Sequence, residues 1–251
     1  MPYSTLISCY GPKPPEFARL IGECQSAVGE MLGERFRAYD PRQVHCTIAA
    51  LDRVGDSGVL NLGFHELRGQ RVPMDLTGLL EYLRGLEEMN IQIGGFGEPD
   101  RPFVSRGRPP YERSFFMQEG KAVLMGWPIE RSEGVAAYPP RLETLRRDLQ
   151  RFGILHRYHA RETDFDNDFY LRIGLYDPVD VTPELQARIE HRLRQLLADW
   201  PLVLPLRLMD LMFGQCDQQT LPPESTTLLN LSDPNVSFYS VVRLFAWDDV
   251  L

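Results

Sequence analysis

The apolar residues of this chain change period from two to about 3.6 and back, and do so in both halves, which restricts it to folds that pack helices against sheets. The opening YSTLISCY alternates as a strand and GPKPP stops it. A run from about Glu16 to Leu32 then sets Phe17, Leu20, Ile21, Cys24, Val28 and Leu32 on one helical face. After a turn at YDPRQ comes a second strand, VHCTIAAL, and a glycine-containing loop to about Gly63. MDLTGLLEYLRGLEEM predicts a helix capped by Asp75 or Thr77, and NIQIGGFG a strand ending in glycines.

The stretch from Glu98 to Arg113 is rich in proline and arginine and reads as a loop, followed by a hairpin, SFFMQEGKAVLMGWPI, turning at QEGK. The order then repeats. YPPRLETLRRDLQRFG predicts a helix with Pro139 and Pro140 at its start and Gly153 at its end, and DFYLRIGLYD a strand. TPELQARIEHRLRQLLADW predicts a long helix capped by Thr182 with Pro183 at its first position. LVLPLRLMDLMFGQC begins the closing strands, and VSFYSVVRLFAW is read as one more. The expectation is an α+β fold of two pseudo-symmetric lobes, each of mixed or antiparallel sheet with flanking helices, around a central cleft. It treats residues 1–251 as a single domain, with a first lobe over about 1–135, carrying a loop insertion at 98–113, and a second over about 136–251.

A chain of 251 residues, 43% hydrophobic, is long enough to bury a large core. Its net charge of -8 argues against a coat of basic residues on DNA or on an anionic membrane. Lys13 and Lys121 are the only lysines, so nearly all positive charge is arginine, a bias that reflects coding preference before function. Cys9, Cys24, Cys46 and Cys216 lack any CxxC spacing and read as free buried thiols, with no zinc site and no disulfide framework. No metal and no cofactor is expected. The N-terminus lacks a charged segment followed by a long apolar one, and no run reaches membrane-spanning length, so a cytoplasmic protein is expected.

Within VHCTIAAL, His45 and Thr47 stand two apart and share one strand face, while Cys46 and Ile48 point to the other. A strand of the form HCTI, preceded by a helix and a turn and followed by a loop, a helix and a strand, resembles those of the 2H phosphoesterase family, which includes the bacterial RNA ligase/cyclic phosphodiesterase proteins. The resemblance covers nearly the whole chain, from TLISCY to SVVRLFAW. It implies two lobes, each offering an H-x-T/S strand to a shared cleft, and metal-independent chemistry on cyclic or 2′,3′-linked phosphodiesters. One histidine serves as base and the other as acid, with the hydroxyls holding phosphoryl oxygens. Imidazole suits the task because it titrates nearest neutral pH.

The second motif departs from that pattern. Matching Ile48 to Ile173 in DFYLRIGLY puts Tyr170 where the second histidine belongs and Arg172 where the second hydroxyl belongs. In that register Leu171, Ile173 and Leu175 form the apolar face, while Tyr170, Arg172 and Gly174 face the cleft, with Gly174 leaving room for a ligand. His45, Thr47 and Tyr170 are then the catalytic candidates, and Arg172 and Thr47 the substrate-binding ones. Tyrosine, with an ordinary pKa near 10, is a weak acid, and arginine can hold a phosphate bidentately. The partner of Arg172 is either such a phosphate or a structural carboxylate such as Asp177.

His156 and His159, in GILHRYHARETDFDND, read as a solvated connection that could swing toward the cleft, and His65 and His191 as surface residues. The 98–113 loop reads first as a disordered or packing insertion, and second as a lid or a patch stacking bases on Phe103 and Tyr111. The expected ligand is a cyclic nucleotide or a phosphate-bearing RNA end. The alternative to an enzyme is a noncatalytic nucleotide- or phosphate-binding module on the same fold.

Overall fold

The computed structural model describes residues 3–55 and 59–245. In chain order they form β1 (Tyr3–Ser8), α1 (Pro15–Leu32), β2 (Phe36–Ala38), β3 (Cys46–Ala50), α2 (Leu62–Arg68), α3 (Leu76–Arg84) and β4 (Met89–Ile93). There follow α4 (Pro110–Ser114), β5 (Phe115–Gln118), β6 (Lys121–Ser132), β7 (Val135–Ala137), α5 (Arg141–Asp148) and β8 (Phe169–Tyr176). The last elements are α6 (Pro183–Ala198), β9 (Leu202–Leu206), β10 (Leu211–Cys216), β11 (Thr227–Asn230) and α7 (Phe238–Leu244).

Local chemistry explains most boundaries. Asp75 caps α3 by accepting from the Gly78 N–H, and Thr182 caps α6 by accepting from the Leu185 N–H. The β5–β6 hairpin turns on Glu119 and Gly120, both at positive φ, the geometry that matches the twist of paired strands.

The architecture is α+β, with two antiparallel sheets and helices packed on them. One sheet has the order β11-β10-β1-β3, and the other β2-β8-β6-β4-β9, with β5 and β7 also pairing with β6. Each sheet draws strands from both halves of the chain. Closing strands β9 and β10 return to opposite sheets, a long-range pairing that no local periodicity encodes. One large core joins the inner faces of both sheets with α1, α3, α5 and α6. A smaller aromatic cluster of Phe96, Tyr111, Phe116 and Trp127 with Val123 and Met125 covers the other face of β6.

Three elements differ from the sequence reading. The segment expected as a last strand is α7: Ser237 accepts from the Ser240 N–H at its start, and Val241 and Val242 are buried four and three residues from buried Phe245, at helical spacing. Paired β-branched residues pull toward strand, but the cap and the available groove override them. Its final residues, Ala246 and Trp247, lie outside the described residues. The loop after β3 contains α2, capped by Asn61. On β8 the alternation changes phase at Ile173 and Gly174, which are both buried, while Leu175 is only half-buried.

Candidate active site where the two sheets meet

β3 and β8 run beside one another at the junction of the sheets, and the Cys46 thiol sits on the backbone N–H of Tyr170. His45 lies one residue before β3, half-buried, with its ring 5.7 Å from that of Tyr10. Its Nδ1 is 2.6 Å from the carbonyl of Gln43, so in the neutral ring Nδ1–H donates there and Nε2 keeps its lone pair. Thr47 is exposed, and its hydroxyl has no hydrogen-bond partner among the described residues.

Tyr170 and Arg172 are half-buried on one face of β8, with Leu171 and Ile173 in the core behind them. Arg172 hydrogen-bonds the hydroxyl of Tyr39, Nη1 to Oη 3.2 Å, and the hydroxyl of Tyr170. Asp177 does not pair with it; that carboxylate accepts from the Val179 N–H instead. Among the described residues no carboxylate pairs with Arg172, and its buried Nε has no partner. Gly174 does not leave room for a ligand: a Cβ there would collide with the Phe36 ring and the Arg37 carbonyl, so β2 already fills that space.

The electrostatics tie the two strands together. Burial, and then the nearby Arg172 charge, push His45 down to about 4, against the raising effect of the Gln43 carbonyl. Burial raises Tyr170, against the lowering pull of Arg172. Burial opposes the Arg172 charge, but the Tyr39 and Tyr170 hydroxyls together hold it above its ordinary value. At neutral pH the site therefore holds an uncharged imidazole, a protonated phenol and one guanidinium.

Behind it lies a charged network that the sequence reading missed. Arg146 of α5 is fully buried. Its Nη2 donates to the Thr47 carbonyl at 3.1 Å and its Nε to the Ile48 carbonyl at 3.3 Å. Its Nη1 donates to Asp166 Oδ2 at 3.1 Å and to the Asp168 carbonyl at 3.0 Å. One guanidinium thus ties the His45-x-Thr47 strand to the segment leading into β8. Leu142, Leu145, Arg146 and Leu149 follow the spacing of a buried helical face, the signal that could have singled out this arginine in LRRD.

His156 and His159 belong to this network and not to a solvated connection. His156 Nε2 meets Asp166 Oδ2 and His159 Nε2 meets Glu143 Oε2, each at 2.7 Å, with both rings buried. Burial first, then Arg146, lowers His156 to about 4, and burial also lowers His159. Burial would raise Asp166, but His156, Arg146 and Arg106 hold it well below the carboxylate range.

The 98–113 loop is docked. Asp168 accepts from Ser105 Oγ at 2.6 Å, Trp127 Nε1 at 2.7 Å and Arg113 Nη2 at 2.8 Å. Arg106 pairs with Asp166 and Asp168 from a two-residue turn in which it and Gly107 have positive φ. Tyr111 is buried and offers no stacking face, whereas Phe103 packs against Trp127 and Tyr138.

Among the described residues no helix is long and apolar enough to cross a membrane, and no three His, Cys, Asp or Glu side chains are grouped to hold a metal ion. Searches against protein-family models and curated protein sequences find no match. Among solved structures the chain is similar to Kluyveromyces marxianus Usb1, with a TM-score of 0.42 and 10% identity over 91% of this chain and 97% of that one. A likeness that weak establishes neither kinship nor chemistry.

Proposed function

We propose that the protein is a 2H-phosphoesterase-like protein that holds the phosphate of a 2′,3′-cyclic nucleotide or of an RNA end at Arg172, and opens it with His45 as base. The observation that carries this reading is Arg172 itself. It is a half-buried guanidinium whose partners among the described residues are hydroxyls, with an unengaged Nε, close enough to His45 to depress its basicity. Such a group is stabilised by an anion, and a phosphate is the anion that a planar guanidinium holds in two-point contact.

Chemistry follows from the protonation states. His45 Nε2 takes the proton of an attacking water as its oxygen bonds to phosphorus, and the P–O bond to one ribose oxygen breaks. That oxygen receives the Tyr170 proton, and Arg172 stabilises the phenolate that is left. Thr47 offers its hydroxyl to a phosphoryl oxygen. Neither proton carrier requires a metal.

A second reading, a module that binds the same phosphate without turnover, is favoured by the raised pKa of Tyr170, which makes it a poor acid in place of a second histidine. Losing one half of an acid/base pair typically costs roughly 10²–10⁴-fold in rate. Incubation with 2′,3′-cyclic nucleotides and short 2′,3′-cyclic-phosphate RNA, with product chromatography, separates the two. Turnover that vanishes in His45→Ala supports the enzyme. Arg172-dependent binding with no product supports the module, and no binding overturns both.

A further inference from the structure

A cavity of about 110 Å³ opens beside the network, lined by Phe103, Tyr138 and Phe165 together with the buried Trp127 and Asp168. It is well below the ~300–1,000 Å³ that encloses a whole small-molecule ligand, so it accommodates a flat ring and leaves a sugar and phosphate outside. Its polar atoms are already engaged. Asp168 is held by Ser105, Trp127, Arg106 and Arg113, and Asn167 accepts from the Leu142 and Glu143 N–H groups while donating to the Pro139 carbonyl.

The mouth is unusually apolar. Val104 and Phe165, 64% and 60% exposed, line it. Tyr158, 44% exposed, lies under the Arg106 guanidinium, 4.1 Å from ring to cation. Arg106 also borders the cavity, and Tyr158 stands within electrostatic reach of Tyr170. Trp127 of the cavity lies on the same face of β6 as Met125 and Val123, which pair with Tyr170 and Arg172 on β8, and Tyr170 packs on the same aromatic cluster as Phe103 and Tyr138, so the cavity and the phosphate position argued above share one continuous sheet face.

We propose that this slot is a subsite for one nucleobase of a single-stranded oligonucleotide whose terminal phosphate lies at Arg172, an inference that rests on the function proposed above and narrows its substrate from mononucleotides to RNA ends. The aromatic walls take the ring face, and Arg106 at the rim faces the backbone. The continuity with Arg172 favours a nucleotide over an aromatic side chain of a protein partner. With the Asp168 carboxylate and the Asn167 side chain already engaged, recognition is by stacking, tolerant of base identity and stronger for purines.

The test is calorimetry with a nucleoside 3′-monophosphate and with di- and trinucleotides ending in a 3′-phosphate, ends that the proposed ring opening does not consume. The longer ligands are expected to bind wild type about tenfold or more tighter than the mononucleotide, the range of one stacked base. That gain disappears when the upstream residues are abasic, or in Phe165→Ala, an exposed position whose loss leaves mononucleotide binding unchanged. Arg172→Met weakens every length. A gain that survives both the abasic ligands and Phe165→Ala, or no gain in wild type, overturns the slot while leaving Arg172-dependent mononucleotide binding to stand. Oligonucleotide binding lost in Phe165→Ala but retained in Arg172→Met keeps the slot and removes the phosphate reading. No binding at any length removes both.

Discussion

Ile48 and Ile173 are each the extra residue of a β-bulge, one directly after Thr47 and the other directly after Arg172. On β3 the pairing with β1 steps from Leu6↔Ala49 to Ile7↔Thr47, and on β8 the pairing with β6 steps from Ala122↔Gly174 to Val123↔Arg172. Bulges bend a strand and re-aim its side chains, and they gather beside functional sites. The two strands are thus bulged at the same place relative to Thr47 and Arg172.

Arg172→Met is expected to remove phosphate-dependent stabilisation. Hydrogen bonds to charged groups contribute about 1.5–3 kcal/mol, so phosphate affinity should fall about 10- to 150-fold, read as the loss of ligand-induced Tm shift. Arg172→Lys should recover only part, because an ammonium lacks the two-point fork. An unchanged shift in Arg172→Met would remove the anion site.

Gly174→Ala should destabilise the fold by about 1–3 kcal/mol, since the added methyl meets Phe36 and the Arg37 carbonyl. Denaturant unfolding measures it. Unchanged stability with blocked ligand binding would instead show that the glycine opens onto the ligand.

Stability should fall as pH drops below about 6.5. His45, His156 and His159 are all held below the ordinary imidazole value by burial, so between 6.5 and about 4 the unfolded chain binds more protons than the folded one. This contribution is complete above 6.5 and is lost on acidification; Asp166 and Glu143, both lowered, add a loss of the same sign at lower pH. Urea midpoints across pH 4–8 should flatten in His156→Gln. By the same shift, any turnover should show no acid limb between pH 5 and 7.

Arg146→Met should cost about 3–5 kcal/mol, because it removes the fully buried one of the two guanidinium partners of Asp166 and frees the carbonyls of Thr47, Ile48 and Asp168. Chemical denaturation reads the loss. A near-neutral substitution would mean that the network does not hold the two strands in place.

The local patterns in the sequence determined most of the elements and, up to Ile173, the sidedness of the motif strands. Period-two alternation placed Leu171 and Ile173 inward and Tyr170 and Arg172 together, and short-range caps such as Thr182 fixed helix starts, because these depend on neighbours a few residues away. Tertiary structure alone decided that β9 and β10 close opposite sheets, that β2 fills the space over Gly174, and that Ser237 starts a helix where β-branched residues suggested a strand. It alone brought Tyr39 to Arg172 across 133 residues of chain and Arg146 to Thr47 across 99. Buried charges are fixed by partners distant in sequence, and a single chain's periodicity records only that a position is inside, not which group meets it there.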